Sequence, residues 1–364
     1  MSILLETRSQ IRVLIVDDSA FMRTAISRMI ASDLDLEVVG TACCASDAFE
    51  KIASLDPDVV TLDVAMPGLD GVSTLRCIMQ QFPRPVIMVS AATERDAQIT
   101  FDALSAGAFD YVPKQMSPTS LDITHIRADL IAKIRAAAQS RHVLTRPTTR
   151  VRKPPQSDAL ESQPSASPIP AVVAIGVSTG GPKALEQVLP RFPRDFPVPI
   201  LIVQHMPLGF TGPFAQRLDS LCAIAVNEAA QRELIQPGVA YIAPAGLHMC
   251  IVPRVSDSKP VIALGRYPED AMHIPSVDVL MKSVAETYKN RALGVIMTGM
   301  GSDGADGMSA IYRYGGLTIG QDEATCAVYG MPRVCAELGI LSRVVPLSEI
   351  PKQILQATLR RKRA

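Results

Sequence analysis

The chain is 364 residues long, more than one hydrophobic core usually supports, so we expect two domains. Its 36 Lys and Arg residues balance 36 Asp and Glu residues, and this neutrality argues against binding to nucleic acid or to an anionic membrane. The seven cysteines are scattered, which favours buried, reduced thiols over disulfides or zinc ligands. Glu6 and Arg8 interrupt the first apolar residues, and no apolar run approaches about 18 residues. We therefore expect no signal peptide, no membrane insertion and a cytoplasmic protein.

Residues 1–139 alternate short apolar runs with amphipathic segments, a pattern typical of an α/β domain with a doubly wound parallel sheet. The apolar runs predict five strands, at residues 11–16, 37–41, 59–62, 86–89 and 108–112. The segments between them predict five helices, near residues 19–31, 46–54, 71–81, 94–105 and 121–139.

Polar residues follow four of these strands at their carboxyl ends, where functional groups collect in such sheets. Asp17 and Asp18 follow the first strand, Asp63 the third, Ser90 the fourth, and Lys114 the fifth. Three carboxylates at one edge repel each other unless a cation lies among them, and Mg²⁺ suits these ligands. This arrangement favours phosphoryl transfer to Asp63, with Lys114 neutralising phosphoryl oxygens and Ser90 donating a hydrogen bond. Taken singly, each residue is equally compatible with a helix cap or a solvated charge.

Four segments of this domain, VDDSAFMR, TLDVAMPGLDG, VSA and DYVPK, resemble in order and spacing the motifs of the response-regulator receiver domain. The resemblance implies a flavodoxin-like, five-stranded parallel sheet and a sensor histidine kinase as phosphodonor. It assigns Asp63 as phosphoacceptor, Asp17, Asp18 and Asp63 as ligands of Mg²⁺, and Ser90, Tyr111 and Lys114 as the switch residues.

One position departs from the receiver pattern. Gln115 follows the lysine where receivers usually have a proline, often in cis. A cis bond before a residue other than proline costs about 2.5–4 kcal/mol. We therefore expect a trans bond here and a different position for Lys114.

Residues 140–170 are rich in Pro, Ser, Thr and Arg and lack hydrophobic periodicity, which predicts a semi-extended linker. Its first half contains five basic residues and no acidic one. They are Arg141, Arg146, Arg150, Arg152 and Lys153. We interpret this run mainly as a solvated spacer, with a docking site for an acidic partner as the alternative.

Residues 171–364 again alternate apolar runs with amphipathic segments, which predicts a second doubly wound α/β domain with a largely parallel sheet. Strands are predicted at residues 172–177, 200–204, 240–242, 249–252, 261–264, 294–298 and 317–320. Helices are predicted at residues 276–288, 304–314 and 349–361. We expect an antiparallel insert near residues 238–265.

The sequence AVVAIGVSTGGPKAL (residues 171–185) combines a buried strand, a glycine turn and a helix that opens near Pro182. Residues 176–180 match the G-x-S-x-G nucleophile elbow, which presents a serine hydroxyl, here Ser178, at the carboxyl edge of a sheet. Neighbouring N–H groups at such a turn can stabilise an oxyanion. A phosphate-binding glycine loop and a tight turn with a capping serine are the alternatives.

Two further strand ends supply possible partners for this serine. His205 follows the second strand of the domain, where it is placed to act as a general base. Asp303 lies in a glycine-rich loop after the sixth strand and completes a triad in the order Ser, His, Asp. This order differs from the Ser, Asp, His order of α/β-hydrolases. A core histidine and an N-cap for a helix at Gly304 are the alternative interpretations.

The segments IGVSTGGPKAL, QHMPLGFTGPFAQRLD, PSVDVL and MTGMGSDGADGM resemble the catalytic domain of the chemotaxis protein-glutamate methylesterases, the CheB family. Together with the receiver, the resemblance covers essentially the whole chain apart from the linker. Ser302 stands where many members have asparagine. The resemblance assigns Ser178 as nucleophile, His205 as base, Asp303 as third member, the N–H of Met300 to the oxyanion hole, and Thr179 and His273 to the flanks of the site.

The two resemblances imply a phosphorylation-activated esterase that hydrolyses γ-glutamyl methyl esters on methyl-accepting chemotaxis receptors and also deamidates receptor glutamines. Hydrolysis needs no cofactor, and we expect a monomer whose unphosphorylated receiver covers the cleft at Ser178. Related pathways with other outputs stay open. A nucleotide-binding module with glycine loops at 176–181 and 299–307 lacks the P-loop and Rossmann spacings. A DNA-binding regulator lacks a helix-turn-helix output.

Overall fold

The protein folds as two compact units, formed by residues 1–147 and 148–364. The computed structural model describes residues 10–91, 93–114, 120–144 and 168–359. Gln115 and residues 145–167 of the predicted linker lie outside the described residues, whereas residues 140–144 continue a helix. In the part of the chain that is described, no helix has both the length and the apolar character needed to span a membrane.

The first unit is a five-stranded parallel sheet with helices on both faces. Its strands are β1 (Ile11–Val16), β2 (Leu36–Ala42), β3 (Val59–Asp63), β4 (Val86–Ser90) and β5 (Asp110–Pro113). Its helices are α1 (Ala20–Ala31), α2 (Ala45–Leu55), α3 (Gly71–Gln81), α4 (Glu94–Ala106) and α5 (Ser120–Leu144). The strand order is β2-β1-β3-β4-β5, the flavodoxin-like order, which confirms the predicted receiver fold.

The central strands β3 and β4 are buried along their whole length because helices cover both faces of the sheet. Each ends in a polar residue, Asp63 and Ser90 respectively, which places both at the carboxyl edge. The side chains of Ser19 and Asp70 accept backbone N–H bonds as N-caps of α1 and α3. Helix starts and carboxylates therefore share this edge.

The second unit contains a seven-stranded, entirely parallel sheet and a separate antiparallel hairpin. Its strands are β6 (Val172–Val177), β7 (Ile200–Gln204), β8 (Ala225–Glu228), β9 (Val239–Ile242), β10 (His248–Pro253), β11 (Pro260–Gly265), β12 (Ala292–Ile296), β13 (Leu317–Gln321) and β14 (Arg343–Val345). Its helices are α6 (Gly181–Val188), α7 (Thr211–Leu221), α8 (Val277–Tyr288), α9 (Ala305–Arg313), α10 (Met331–Glu337) and α11 (Ile350–Thr358). The sheet order is β14-β13-β12-β6-β7-β9-β8, and the hairpin pairs β10 with β11.

The sequence predictions differ from this sheet in two respects. The antiparallel insert expected near residues 238–265 is confined to the hairpin, because β9 pairs in parallel with both β7 and β8 and is largely buried. The edge strands β8 and β14 were not predicted, since their mostly exposed residues form no continuous apolar run. Among the cysteines, Cys335 is buried but Cys43 is exposed, so the expectation of buried thiols is wrong for Cys43.

The centre of the second sheet positions the residues of the predicted active site. The chain runs from β6 to β7 on one side and from β12 to β13 on the other, so the strand order reverses between β6 and β12. Ligands of open α/β sheets bind at the carboxyl edge beside such a reversal. Helix α8 packs closely here, because a Cβ built on Gly176 lies 2.3 Å from Cγ1 of Val277.

We predict that Gly71→Ala destabilises the first unit by about 1–3 kcal/mol, the usual cost of overpacking. A Cβ at Gly71 lies 2.1 Å from the carbonyl oxygen of Asp63 and 2.8 Å from Cα of Val64, so backbone has to move. Hydrogen exchange in peptides covering residues 59–81 of the full-length chain measures the loss. Gly68→Asn is the control, since no atom lies within 4 Å of its Cβ and asparagine tolerates its φ of +83°. Equal exchange rates in Gly71→Ala and wild type contradict this packing.

Candidate functional site

Ser178 lies in a strand–turn–helix elbow directly after β6. Its N–H donates to the carbonyl of Thr298 over 3.0 Å, and its own carbonyl accepts from the N–H of Gly181 over 2.8 Å. The side-chain Nε2 of Gln204 donates to the same carbonyl over 3.0 Å. Gly180 has φ +76°, a conformation that glycine adopts without steric cost, and this lets the chain turn into α6. The half-buried Ser178 is thus held in the conformation that the G-x-S-x-G pattern predicts.

The side chains of His205 and Asp303 form a mostly buried pair at the same edge. Nε2 of His205 lies 2.8 Å from Oδ2 of Asp303, and the two side chains are 9% and 11% exposed. The Asp303 carboxylate accepts three more hydrogen bonds from the start of α8: from Oγ of Ser276 (2.8 Å), the N–H of Val277 (2.8 Å) and the N–H of Asp278 (2.9 Å). Four donors therefore hold this carboxylate in place.

These contacts determine the charge of Asp303 and the tautomer of His205. Burial alone would raise the pKa of Asp303, but the hydrogen bond and charge of His205 and the N–H groups of α8 lower it well below its usual value. An ionised carboxylate only accepts hydrogen bonds, so Nε2 of His205 carries the hydrogen and Nδ1 is the basic nitrogen. Nδ1 is buried and has no hydrogen-bond partner among the described residues. The structure thus brings Ser178 to the same edge without a hydrogen bond between its hydroxyl and His205.

The loop after β12 passes directly beside Ser178. A Cβ built on Gly299 lies 2.3 Å from Sδ of Met331, 2.9 Å from Cβ of Ser178 and 3.2 Å from N of Ser178, so only glycine allows this approach. The Gly299 carbonyl accepts from the N–H groups of Gly330 (3.0 Å) and Met331 (2.9 Å). In a planar trans peptide the N–H points opposite to the preceding carbonyl, so these two hydrogen bonds also fix the direction of the Met300 N–H. The buried Thr179 follows Ser178, and its carbonyl accepts from Oγ1 of Thr298 over 2.9 Å.

Asp278, on the first turn of α8, mirrors the role of Asp303. Its Oδ1 accepts from the N–H groups of Gly304 (3.0 Å) and Gly307 (2.7 Å) at the start of α9. Asp303, just before α9, thus caps the start of α8, and Asp278, at the start of α8, caps the start of α9. Burial and the negative charge of Asp303 raise the pKa of Asp278 to about 6, despite the hydrogen bond from Gly307.

Two further histidines support the site. The ring of His273 stacks on that of His205, with centroids 4.1 Å apart. His248, at the start of β10, is buried. Its Nδ1 accepts the N–H of Ser276 (3.1 Å), and its Nε2 lies 3.1 Å from the carbonyl of Pro268. His248 therefore fixes both ends of the loop that carries His273 and leads into α8.

In the first unit, the predicted carboxylates meet at the carboxyl edge of the sheet. Asp17, Asp18 and Asp63 each offer an oxygen within 4.8 Å of the others. Nζ of Lys114 lies 2.6 Å from Oδ2 of Asp63 and 3.0 Å from Oδ2 of Asp17. Burial raises the pKa of Asp63, and Lys114 offsets only part of this rise. Burial also disfavours the charged form of Lys114, but its ion pairs with Asp63 and Asp17 raise its pKa.

The two remaining predicted switch residues are buried near this cluster. Oγ of Ser90 lies 2.8 Å from Oγ1 of Thr100, and the carbonyl of Ser90 accepts from the N–H of Lys114 over 2.7 Å. Tyr111 is buried, and its carbonyl accepts from Nζ of Lys133 over 2.7 Å. Burial and the charges of neighbouring aspartates raise the pKa of the Tyr111 phenol. No hydrogen bond among the described residues joins the side chain of Ser90 or Tyr111 to Asp63.

Comparison with known proteins identifies both units. Residues 173–354 match the family model of the CheB methylesterase, and residues 13–125 match that of the response regulator receiver domain. A relative from Nitratidesulfovibrio vulgaris, named protein-glutamate methylesterase/protein-glutamine glutaminase 2, is 46% identical over 95% of this chain and 98% of its own length. The chain belongs to the CheB methylesterase family.

Other relatives agree with this membership. A protein-glutamate methylesterase/protein-glutamine glutaminase from Halalkalibacterium halodurans is 45% identical over 96% of this chain and 98% of its own length. The crystal structure of the Thermotoga maritima CheB methylesterase catalytic domain superimposes with a TM-score of 0.50 and 40% identity, over 51% of this chain and 98% of that domain. Both predicted resemblances, to the receiver and to the methylesterase, are confirmed.

The sequence analysis missed several residues that support this methylesterase site. Ser276, whose hydroxyl donates to Asp303, could have been found from the sequence, because a serine directly before an apolar helix is typical of an N-cap. Gln204 immediately precedes His205 at a strand end, and its Nε2 bridges the carbonyls of Ser178 and His205. The roles of Asp278 and His248 depend on contacts between distant segments, which no local pattern indicates.

We predict that Gly299→Ala lowers kcat for ester hydrolysis about 100-fold, the lower end of the loss on removing one oxyanion donor. The added methyl group pushes the loop that carries the Met300 N–H away from Ser178. Steady-state methanol release measures kcat, and circular dichroism checks the fold. Gly301→Asn is the control, because no atom lies within 4 Å of a Cβ at this exposed position and asparagine tolerates its φ of +81°. Full activity of Gly299→Ala contradicts the assignment of this loop.

We predict that Asp278→Asn stabilises the methylesterase unit at neutral pH. Folding raises the pKa of Asp278 from 3.8 to about 6, so the folded state binds more protons and stability falls as pH rises through this window. Asparagine keeps an oxygen acceptor for Gly304 and Gly307 but carries no charge. We expect a gain of about 1 kcal/mol at pH 7.5, allowing for solvent screening of a partly exposed group.

Denaturant unfolding of the full-length chain at several pH values measures this difference, which should disappear near pH 4. Asp306→Asn is the matched control, since Asp306 lies on the first turn of α9, the helix start that Asp278 caps, but its side chain is 74% exposed. A variant less stable than wild type at pH 7.5 shows instead that the charge of Asp278 stabilises the N-terminus of α9.

Proposed function

We propose that this methylesterase hydrolyses the γ-methyl esters of glutamyl residues on methyl-accepting chemotaxis receptors, and that phosphorylation of its receiver domain activates it. The observation that carries the proposal is the His205–Asp303 pair, held at the same sheet edge as Ser178 in a chain of the methylesterase family. The names of the relatives support the choice of a glutamyl ester as substrate.

In the first half of the reaction, Oγ of Ser178 attacks the ester carbonyl carbon while its proton passes to Nδ1 of His205. The oxyanion that forms accepts hydrogen bonds from the N–H groups of Met300 and Thr179. Collapse of this intermediate breaks the bond to the methoxy oxygen, and His205 returns the proton to the departing methanol. Asp303 stabilises the imidazolium through Nε2, because its carboxylate stays ionised.

In the second half, a water molecule attacks the glutamyl-serine ester and gives its proton to Nδ1 of His205. As this second intermediate collapses, His205 returns the proton to Oγ of Ser178, which leaves glutamate and free Ser178, so the cycle needs no cofactor. Deamidation of receptor glutamines follows the same path, with ammonia leaving in place of methanol. The ring of His273, stacked on His205, restricts the rotation of the base between the two half-reactions.

In the receiver domain, we assign Asp63 as the residue that accepts a phosphoryl group from a sensor histidine kinase. The oxygen-rich set formed by Asp17, Asp18 and Asp63 fits Mg²⁺, which when bound supplies neutralisation of the phosphoryl charge. Nζ of Lys114 contacts both Asp17 and Asp63. It can therefore exchange its contact with one of these carboxylates for a contact with a phosphoryl oxygen. Ser90 and Tyr111 are the proposed switch residues that respond.

The regulatory part of the proposal is that the unphosphorylated receiver covers the cleft at Ser178 and that phosphorylation weakens this contact. A tethered pair of domains then behaves as a two-state population, and a few kcal/mol of differential stability opens it. We further propose that the protein acts as a cytoplasmic monomer, without binding nucleic acid.

The test is methanol release from membranes that carry methylated receptors, with and without a small phosphodonor and Mg²⁺. We expect the phosphodonor to stimulate the wild type, Ser178→Ala to release no methanol in either condition, and Asp63→Ala to keep only the unstimulated rate. Asp18→Ala removes an exposed carboxylate of the cluster and should raise the Mg²⁺ concentration needed for stimulation.

Each arm of this test can contradict one part of the proposal. Release that is unaffected by Ser178→Ala excludes the triad. Stimulation that persists in Asp63→Ala excludes this phosphorylation site. A chain that releases no methanol in any form has another substrate.

A further inference from the structure

Three large side chains beside the active site are unusually exposed. Leu208 is 57% exposed, Tyr267 is 87% exposed and Met272 is 86% exposed. Leu208 lies in the loop that follows β7, and the other two lie in the loop between β11 and α8. Large exposed apolar side chains on loops that border one site indicate a binding surface. We call these three residues the apolar rim.

The apolar rim is continuous with the catalytic centre through a short series of contacts. Cδ2 of Leu208 lies 2.7 Å from a Cβ built on Gly246, so the leucine packs over this glycine. The N–H of Gly246 donates to the carbonyl of Ile274 over 3.1 Å. Ile274 follows His273, whose ring stacks on that of His205. Both loops therefore adjoin His205, one because it follows His205 in the chain and the other through the ring of His273.

Both loops are anchored by hydrogen bonds close to the rim residues. His248 is hydrogen-bonded to Ser276 and lies 3.1 Å from the carbonyl of Pro268, next to Tyr267. Leu208 is followed by the buried residues Phe210 and Thr211, and the hydroxyl of Thr211 accepts the N–H of Ala245 over 3.1 Å. These anchors reduce the loop entropy that is lost when a partner binds.

The chemistry of the reaction determines which partner reaches this surface. Three carbon–carbon bonds separate Cα of a glutamyl residue from its ester carbon, a span of about 4 Å. Ser178 is half-buried at the strand edge, so the backbone that carries the ester has to lie against the loops around it. Residues neighbouring the esterified glutamate then contact whatever these loops expose.

We propose that the apolar rim is the docking surface for the receptor segment that carries the methylated glutamate, and that it binds apolar side chains flanking that residue. The inference rests on the proposed function and adds to it the chemistry by which the protein substrate is chosen. Arg266, Glu269 and Asp270 lie in the same loop as Tyr267 and Met272 and supply a polar border to the apolar contact.

The test uses Leu208→Asp and Met272→Asp in the full-length chain, assayed on methylated receptor membranes with the phosphodonor present. Each charge opposes burial of the rim, so we expect KM to rise about tenfold while kcat stays within twofold of wild type. Leu338→Asp is the matched control, because Leu338 is also 57% exposed but follows α10. It should leave both constants unchanged.

A second measurement does not depend on turnover. Co-sedimentation of the Ser178→Ala chain with the same membranes gives a dissociation constant, which Leu208→Asp in this background should raise about tenfold. Unchanged binding and unchanged KM in both rim variants overturn the docking surface while the proposed function stands. A fall in kcat at constant KM overturns it as well, since it indicates that the rim shapes the catalytic centre.

One further outcome separates the receptor from the receiver domain as the partner of the rim. Rim variants with a higher rate than wild type in the absence of phosphodonor, and with wild-type KM in its presence, show that the rim contacts the receiver instead. A wild type that releases no methanol refutes the proposed function itself, and the co-sedimentation result then decides the docking surface alone.

Discussion

The hydrogen bonds that four donors make to the Asp303 carboxylate are the interaction on which the proposed catalytic edge depends. Three donors come from the start of α8, where the helix dipole also favours a negative charge, and the fourth is His205. This single group therefore fixes the loop after β12, the first turn of α8 and the imidazole ring together. Asp278 likewise accepts hydrogen bonds from the start of α9. Burial and the nearby charge of Asp303 raise the pKa of Asp278.

Close backbone approach is the second constraint on this edge, and glycines make it possible. Gly299 brings the loop after β12 against Ser178, Gly180 turns the chain from β6 into α6, and Gly176 admits Val277 of α8 to the face of β6. Ser178, the loop after β12 and the helix that holds Asp303 thus converge at the end of one short strand. A side chain at Gly299 or Gly176 separates two of these elements, even though neither glycine takes part in the chemistry.

The sequence was sufficient to predict most of the fold, because long apolar runs such as β6 and β7 have boundaries that follow directly from residue type. It also placed the main candidates of both sites, since parallel strands deliver their following residues to one edge. The sequence did not predict elements whose residue types differ from those usual for their place in the sheet. The exposed edge strand β8 carries no apolar run, and β9 looked like part of a hairpin although it completes the parallel sheet. The supporting role of His248 arises from contacts with a loop about 20–28 residues away in the chain.

The two carboxylates at sheet edges that are central to the proposed chemistry, Asp303 and Asp63, differ in how fully their oxygens are occupied. The donors around Asp303 lower its pKa and hold both oxygens, which suits a group that orients and stabilises a neighbour without reacting. Asp63 accepts one N–H bond, from Ala65, and otherwise pairs with Lys114, while burial raises its pKa. A carboxylate that exchanges one lysine contact for a phosphoryl group keeps an oxygen available for attack. The same residue type at the carboxyl edge of a parallel sheet is thus suited to be a fixed support in one domain and the proposed nucleophile in the other, and the number of donors around it makes the difference.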